Sequence, residues 1–293
     1  MTSTPLAPTG HRGPMLHPRV TILVRPSGAV QLGWDPATAV VLDPDELDTS
    51  RVLSFLRLLD GMHTHPQILW RAGESGITPD QAQTLLAAID EAGLLSRPDP
   101  AGGRIRSVRV HGFGPLADAI SNGVRRLGIR PERSRGYTAN TAVGSWTCGL
   151  VLLTDDAVID PRLANDLVLH GIPHLPVRIR DGRGLVGPLV LPGRSSCLRC
   201  ADLTRTDLDP AWPHLAAQLL GRVGQASTPA VTATAALALG ELELIARGSA
   251  DQTLATLDCT LELELESYRI RRREWAPHPA CGCRAVCPGG PDE

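Results

Sequence analysis

The sequence predicts an α/β protein built from two domains, and three observations support this prediction. Short β-branched runs and three amphipathic segments occupy residues 20–97, a Pro- and Gly-rich stretch (PDPAGG) covers 98–103, and strands alternate with helices beyond it. The chain has 293 residues, of which 42% are hydrophobic, so it is long enough to bury a core in each domain. We therefore expect one domain at 17–99 and a second at 104–293.

The first domain begins with three short strands and continues with three helices. Apolar runs at 20–25, 30–34 and 40–42 are separated by turn residues, which is typical of a small meander. Helical patterns begin at Asp48, at Pro66 and at Thr78, and we expect the second of them to end at Trp70, before Gly73. A wing-like strand starts at Leu94. This order of elements indicates a winged helix-turn-helix module.

The charge pattern argues against nucleic acid as the partner of this module. All 29 basic residues are arginine, 31 residues are acidic, and the net charge is −2. The third helical segment contains Asp80, Asp90 and Glu91 but no arginine, so it would present carboxylates to phosphate groups. A winged-helix DNA-binding regulator is the alternative that the pattern alone suggests.

The second domain has the pattern of a parallel α/β sheet. Strands are predicted at 105–111, 149–154 and 175–179, and helices at 116–127 and 161–170 lie between them. A long Ala- and Leu-rich helix at 231–246 and one alternating strand at 261–270 complete the domain. We find no apolar run approaching the 18 residues of a membrane helix and no signal segment, so we expect a cytoplasmic protein without a membrane partner.

The turn from Gly112 to Ala117 lies where a dinucleotide-binding fingerprint belongs, after a strand and before a helix. Pro115 removes an amide that could bind phosphate, and the chain has no lysine to hold a γ-phosphate. ATP binding is therefore not expected, and the glycines are interpreted as a packing turn.

Two cysteine pairs predict a metal site. Cys197 and Cys200 form a CxxC motif, and Cys281 and Cys283 form a CxC motif near the C-terminus. Four thiolates in such pairs suit tetrahedral Zn²⁺, and we predict a structural zinc. Cys287 or His278 could replace Cys283 as the fourth ligand, and a redox CxxC is the alternative function. Cys148 and Cys259 are interpreted as buried small side chains.

The segments around these cysteines resemble the ThiF-like cyclodehydratase partner proteins of azol(in)e-containing peptide biosynthesis. The resemblance rests on GPLVLPG at 187–193, the CxxC motif, DLTRTD at 202–207, DPAWP at 209–213, and Trp275 with HPACGC at 278–283. It covers most of the chain. It implies a ThiF-like, ubiquitin-activating-enzyme-like Rossmann-type domain after a winged-helix peptide-recognition element, with Cys197, Cys200, Cys281 and Cys283 as zinc ligands.

The resemblance also implies a function in bacteriocin biosynthesis. The chain would be non-catalytic, with no catalytic residue of its own, and would bind the leader of a ribosomally synthesised precursor peptide (a RiPP precursor). A separate YcaO-type cyclodehydratase would then use ATP to form azolines. A homodimer is a further expectation. The alternative is an adenylating enzyme, because Asp155-Asp156, Arg162 and Asn165 match part of the motif set of ThiF enzymes, although Asp156 stands where those enzymes have Asn.

Overall fold

The computed structural model describes residues 13–43, 47–96, 105–247 and 254–284. The chain divides into two compact units, Met1–Gly102 and Gly103–Glu293. The predicted linker at 98–103 and Cys287 lie outside the described residues. Each unit contains a hydrophobic core of its own.

The N-terminal unit combines a three-stranded antiparallel sheet with three helices. Its elements are β1 (Met15–Leu16), β2 (Ile22–Val24), β3 (Val30–Leu32), β4 (Val40–Leu42), α1 (Thr49–Leu58), α2 (His65–Glu74), α3 (Pro79–Glu91) and β5 (Leu95–Ser96). Strands β2, β3 and β4 pair in chain order. Leu23, Gln31 and Val41 share one row across the sheet, while Val30, Leu32 and Leu42 of the neighbouring rows are buried in the core.

The helices of this unit begin where side chains satisfy their first backbone amides. Asp48 accepts a hydrogen bond from the Arg51 amide at 2.9 Å, and Thr78 with Gln81 forms a capping box in which each side chain accepts from the other residue's amide. Helix α2 differs from the prediction, because it runs past Trp70 and through Gly73 to Glu74. The last strand, β5, pairs with β1.

The C-terminal unit contains seven strands and five α-helices among its described residues. They are β6 (Ser107–His111), α4 (Pro115–Arg126), β7 (Arg130–Ser134), β8 (Leu150–Thr154), α5 (Pro161–Leu169), β9 (His174–Arg180), β10 (Arg183–Val186), α6 (Leu198–Leu208), α7 (Trp212–Leu219), α8 (Thr228–Arg247), β11 (Cys259–Glu264) and β12 (Arg269–Glu274). Short 3₁₀ turns lie at Val143–Ser145 and Gly282–Arg284.

These seven strands form one mixed sheet in the order β12-β11-β10-β9-β8-β6-β7. Strands β7, β6, β8 and β9 are parallel, as the alternation of strands and helices predicts. Strands β9 to β12 pair antiparallel. The single strand predicted at 261–270 is wrong: the chain turns after Glu264, with Tyr268 in the left-handed region, and returns as β12.

Strand β12 is one free edge of the sheet. All six of its residues are exposed, and four of them are arginine: Arg269, Arg271, Arg272 and Arg273. Its neighbour β11 places Glu262 and Glu264 opposite Arg271 and Arg269, respectively. The edge is therefore strongly basic, although β11 supplies carboxylates beside it.

Helix α8 packs against β9, β10 and α4. Two glycines allow its close approach, because a Cβ at Gly123 would overlap Leu239 and a Cβ at Gly184 would overlap Thr234. Contrary to the expectation from the sequence, residues Thr228–Ala246 are long and apolar enough to cross a membrane by length and composition alone, with a mean hydropathy of 1.4. Ala235, Ala238 and Leu242 of this helix lie in the core beside the sheet.

Replacing Gly123 with alanine should lower the free energy of unfolding by about 1–3 kcal/mol relative to Gly240→Ala, because both variants gain helix propensity but only the methyl group at position 123 overpacks the α4–α8 contact. Gly240→Ala is the matched control. Gly240 is exposed on α8 and a Cβ there meets nothing within 4 Å, so alanine should stabilise the helix by up to about 1 kcal/mol. Urea denaturation measures both variants. Equal effects of the two substitutions would contradict this account of the helix packing.

Candidate functional site

The four predicted cysteine ligands lie together. The Cys197 sulfur is 3.7 Å from the Cys200 sulfur and 3.6 Å from the Cys281 sulfur, and Cys200 lies 3.6 Å from Cys283. All four sulfurs are within 4.8 Å of one another. Three of the residues are buried, and Cys281 is partly exposed. The cluster joins the start of α6 to the C-terminal 3₁₀ turn.

The sulfur spacing fits a tetrahedral metal ion. A tetrahedron with Zn–S bonds of about 2.3 Å has edges of about 3.8 Å, close to the three short distances in the cluster. A disulfide would need a separation of about 2.05 Å, so these cysteines are free thiols. The cluster can therefore hold a metal ion through four sulfur ligands.

Burial favours the protonated form of Cys197 and Cys283, whereas at Cys200 burial is outweighed by hydrogen bonds, which lower the pKa. Desolvation raises the pKa of Cys197 and raises that of Cys283 to about 12. A thiol must lose its proton to bind a metal, so metal binding would release protons. The positive charge of the metal ion would then compensate the negative charge of the thiolates. Cys197 directly precedes α6, where the positive end of the helix dipole favours negative charge.

The structure bears on two alternatives left open by the sequence, His278 as a ligand and a redox function of the CxxC motif. The His278 ring donates a hydrogen bond from Nε2 to the Asp207 carboxylate at 2.8 Å and is not part of the sulfur cluster. The CxxC motif begins a helix, as a redox motif would, so its position does not distinguish a redox function from metal binding. The second cysteine pair favours metal binding, because it completes a set of four sulfur ligands. Cys259 is buried, as predicted, whereas Cys148 is only partly buried.

A second candidate site lies at the start of α4, where a nucleotide phosphate would bind in a dinucleotide-binding fold. Gly114 has no side chain to cap the helix, and Pro115 has no amide hydrogen. The Asp155 carboxylate fills this role from the end of β8, accepting hydrogen bonds from Leu116 N at 3.0 Å and Ala117 N at 3.1 Å. The amides that would contact a phosphate are therefore engaged by a carboxylate of the same chain.

The glycines of this turn accommodate β8 and its carboxylate. A Cβ at Gly114 would overlap the Asp155 carboxylate, and a Cβ at Gly112, whose φ is +153°, would overlap Thr154. Asp155 itself has a φ of +71°, a conformation that non-glycine residues rarely adopt. The glycine pattern thus has a structural explanation that needs no bound nucleotide.

A cavity of about 490 Å³ adjoins this turn and is lined by Gly112, Asp156 and Asp160 among other residues. Burial raises the pKa of Asp156, and repulsion by Asp155 and Asp160 raises it further. The last residue of β7, where dinucleotide-binding folds place a ribose-binding carboxylate, is Ser134. Its hydroxyl hydrogen-bonds the His111 ring at 3.0 Å.

The remaining residues of the adenylation motif do not converge on Asp155. Arg162 forms a two-pronged ion pair with Asp160, at 3.1 and 2.7 Å. Asn165 lies on α5 and lines a different, larger cavity. The Asp155 contact was not predicted from the sequence, because a cap supplied from 39 residues away leaves no local pattern.

Asp156→Asn should stabilise the protein at pH 7.5. The folded state disfavours the charged form of Asp156, and this lowers the free energy of unfolding. The loss of stability is complete above the raised pKa of the folded state and disappears as the pH falls towards the pKa of the unfolded state. The stability difference between variant and wild type should therefore widen as the pH rises from the unfolded value of 3.8 through the raised pKa. Thermal unfolding between about pH 3.5 and pH 7.5 tests it, with Asp181→Asn, an exposed carboxylate, as control. A difference that is constant with pH would contradict the assigned cause.

Comparisons with known proteins identify the fold. No protein-family model and no curated protein matches the sequence. Among solved structures, the heterocyclase TruD superposes with a TM-score of 0.63 at 14% identity, over 92% of this chain and 42% of that chain. The present chain thus spans less than half of TruD.

The second group of neighbours is the microcin C7 biosynthetic enzyme MccB. Its complex with N-formylated MccA superposes with a TM-score of 0.57 at 11% identity, and E. coli MccB with ATP gives 0.58 at 11%. Both matches cover 92% of this chain and 99% of the MccB chain. The chain therefore has the mixed α/β fold of MccB and of part of TruD.

Proposed function

We propose that this chain is a non-catalytic scaffold that binds the leader of a ribosomally synthesised precursor peptide. It would present the peptide to a separate YcaO-type cyclodehydratase, which uses ATP to close side chains into azolines. Similarity to TruD and MccB over 92% of the chain supports a role in peptide modification. A homodimer belongs to the same proposal.

The observation that carries the non-catalytic role is the Asp155 contact with the start of α4. Its carboxylate takes up two amides that a nucleotide phosphate would need. Asp156 and Asp160 add negative charge beside the same turn, which would repel a triphosphate unless a cation intervened. ATP chemistry is therefore assigned to the partner enzyme.

The N-terminal unit is the proposed leader-binding element, in the role of a winged-helix peptide-recognition module. Its three-stranded sheet has two free edges, β2 and β4, and Leu23 and Val41 at their centres are 41% and 39% exposed. An extended peptide can add to such an edge, with backbone hydrogen bonds giving affinity and side chains giving register. Helix α3 presents the exposed carboxylates of Asp80 and Glu91, which disfavours nucleic acid as the ligand.

We also propose that the four-cysteine cluster holds a structural Zn²⁺. The ion would be closed to substrate, since all four positions of a tetrahedron are taken by sulfur. Its role would be to fasten the C-terminal turn to α6, a link made by sulfurs 84 and 83 residues apart.

Cys200→Ser should abolish the bound zinc and lower the thermal midpoint, because the variant lacks one ligand and leaves three thiols, two of them buried, without a metal. Cys148→Ser is the matched control, since Cys148 is half-buried and lies outside the cluster. Elemental analysis and thermal unfolding measure both effects. One zinc per chain in Cys200→Ser, or no zinc in the wild type purified without chelators, would contradict the assignment.

The full chain should bind a precursor peptide encoded beside its gene, as measured by calorimetry. A charged residue at one sheet edge should weaken binding at least about tenfold, because an added strand packs its side chains beside those of the edge strand. Leu23→Glu and Val41→Glu test the two edges and serve as controls for each other. Unchanged binding by both variants contradicts strand addition, and the absence of any binding contradicts the proposed function.

An adenylating enzyme is the second candidate, favoured by the similarity to MccB, which is solved with ATP. ATP–pyrophosphate exchange distinguishes the two. The scaffold gives no exchange with peptide and Mg²⁺ present, and azoline formation, seen as loss of water from the peptide, requires added cyclodehydratase. Exchange that is lost in Asp155→Ala would establish the enzyme instead.

A further inference from the structure

The C-terminal unit contains a cavity of about 1390 Å³ that borders the four-cysteine cluster, since Cys197, Cys281 and Cys283 are among its lining residues. Strands β9 and β10 contribute to its floor, and helices α5, α6 and α7 and the segment at 219–225 surround it. Typical ligand pockets have volumes of roughly 300–1,000 Å³. This cavity, which we call the sheet-face cavity, therefore has room for an elongated molecule.

Most of the wall of the sheet-face cavity is apolar. Side chains from all three helices, from the sheet and from the segment at 219–225 contribute to it, among them Leu169, Leu185, Leu198, Ala216, Leu220 and Val223. Such a wall suits hydrocarbon or apolar side chains more than a solvated sugar or nucleotide.

One guanidinium in this cavity has no ionic partner. Arg178 on β9 donates from Nη1 to the Ala157 carbonyl at 3.3 Å, but its Nε is buried and has no hydrogen-bond partner. Within the described part of the chain, no carboxylate forms a salt bridge with it. Burial, together with the nearby charge of Arg205, lowers the pKa of Arg178 to about 10, so the group remains a cation at neutral pH.

The surrounding carboxylates are already engaged by other groups. The Asp202 carboxylate accepts from Arg205 at 2.9 Å and, through the same oxygen, from Trp212 Nε1 at 3.2 Å. The Arg205 guanidinium also lies 5.2 Å from the ring centre of Trp212 and 4.6 Å from that of Trp275. This packing holds Arg205 and Asp202 together, and Asp202 acts on Arg178 through its charge without forming a salt bridge to it among the described residues.

The next ion pair along the sheet is engaged in the same way. Glu262 accepts from Arg180 at 3.0 Å and from Arg273 at 2.8 Å, both through Oε1. This region thus contains two carboxylates, those of Asp202 and Glu262, for four guanidiniums. Two positive charges are therefore uncompensated among the guanidiniums of Arg178, Arg180, Arg205 and Arg273. At the rim, Asp181 is exposed to solvent, as are Arg199 and Arg222.

A partly buried guanidinium with an unpartnered Nε and no salt bridge is costly, and a ligand carrying negative charge would reduce that cost. Arginine suits oxyanions because its planar N–H groups match carboxylate and phosphate oxygens. We propose that the sheet-face cavity binds a molecule with an apolar body and an oxyanion head, a carboxylate or a phosphate, which pairs with Arg178. The proposal does not depend on the zinc or on the leader peptide.

Calorimetry with three probes of equal chain length tests this proposal on the full chain. Octanoate carries the carboxylate, octyl phosphate carries the phosphate, and 1-octanol supplies the same apolar body without charge. We expect at least one anionic probe to bind about tenfold or more tighter than octanol, and the tighter of the two identifies the head group. Equal binding of all three probes, or binding of none, overturns the proposal.

Two variants locate the contact. Arg178→Gln should reduce the affinity for the anionic probe to that for octanol, while its thermal midpoint without ligand stays equal to or above that of the wild type. Arg178→Lys, which retains the charge, should bind with intermediate affinity and guards against misfolding of the first variant. Arg183→Gln is the matched control, because Arg183 lies on β10 and pairs with Glu264. Undiminished anion binding by a folded Arg178→Gln, or weakening by Arg183→Gln to the same extent, would overturn the assignment.

Discussion

The hydrogen bonds from the first amides of α4 to the Asp155 carboxylate connect the main parts of the C-terminal unit. Because Gly114 and Pro115 provide no local cap, the carboxylate must approach from β8, and this approach requires glycines in the turn and a left-handed backbone at Asp155. The segment after α7 is then joined to the same strand end, since Gly224 donates to the Asp155 carbonyl and Ala157 donates to the Arg222 carbonyl. Hydrogen bonds therefore join the start of α4, the end of β8 and the segment at 219–225.

The sulfur cluster also joins separate elements of the C-terminal unit. Strand β8 and helix α5 pack into the same core as Cys197, Cys200 and Cys283. An ion held there would couple α6 to the C-terminal turn, and α6 carries Asp202 and Arg205 of the sheet-face cavity. Cys197, Cys281 and Cys283 also line that cavity, so the proposed metal site borders the cavity wall.

Local patterns in the sequence predicted much of this structure, and contacts between distant residues account for the rest. The caps at Asp48 and Thr78 and the paired cysteines are local signals, and they identify helix starts and the sulfur cluster. Strand β7 (RPERS) has no hydrophobic alternation because it is a polar edge strand, so it was missed. The capping role of Asp155 and the unpaired state of Arg178 are set by tertiary neighbours, which no spacing within the sequence encodes.

The basic edge strand β12 has a consequence for association between copies of the chain. An open sheet edge is a template for pairing with the same edge of another molecule, which would join two copies through a continuous sheet. Four arginines in six residues place like charges at short range in any edge-to-edge contact of two β12 strands. Electrostatic repulsion therefore protects this edge in dilute salt, and the protection weakens as added ions shorten the screening length.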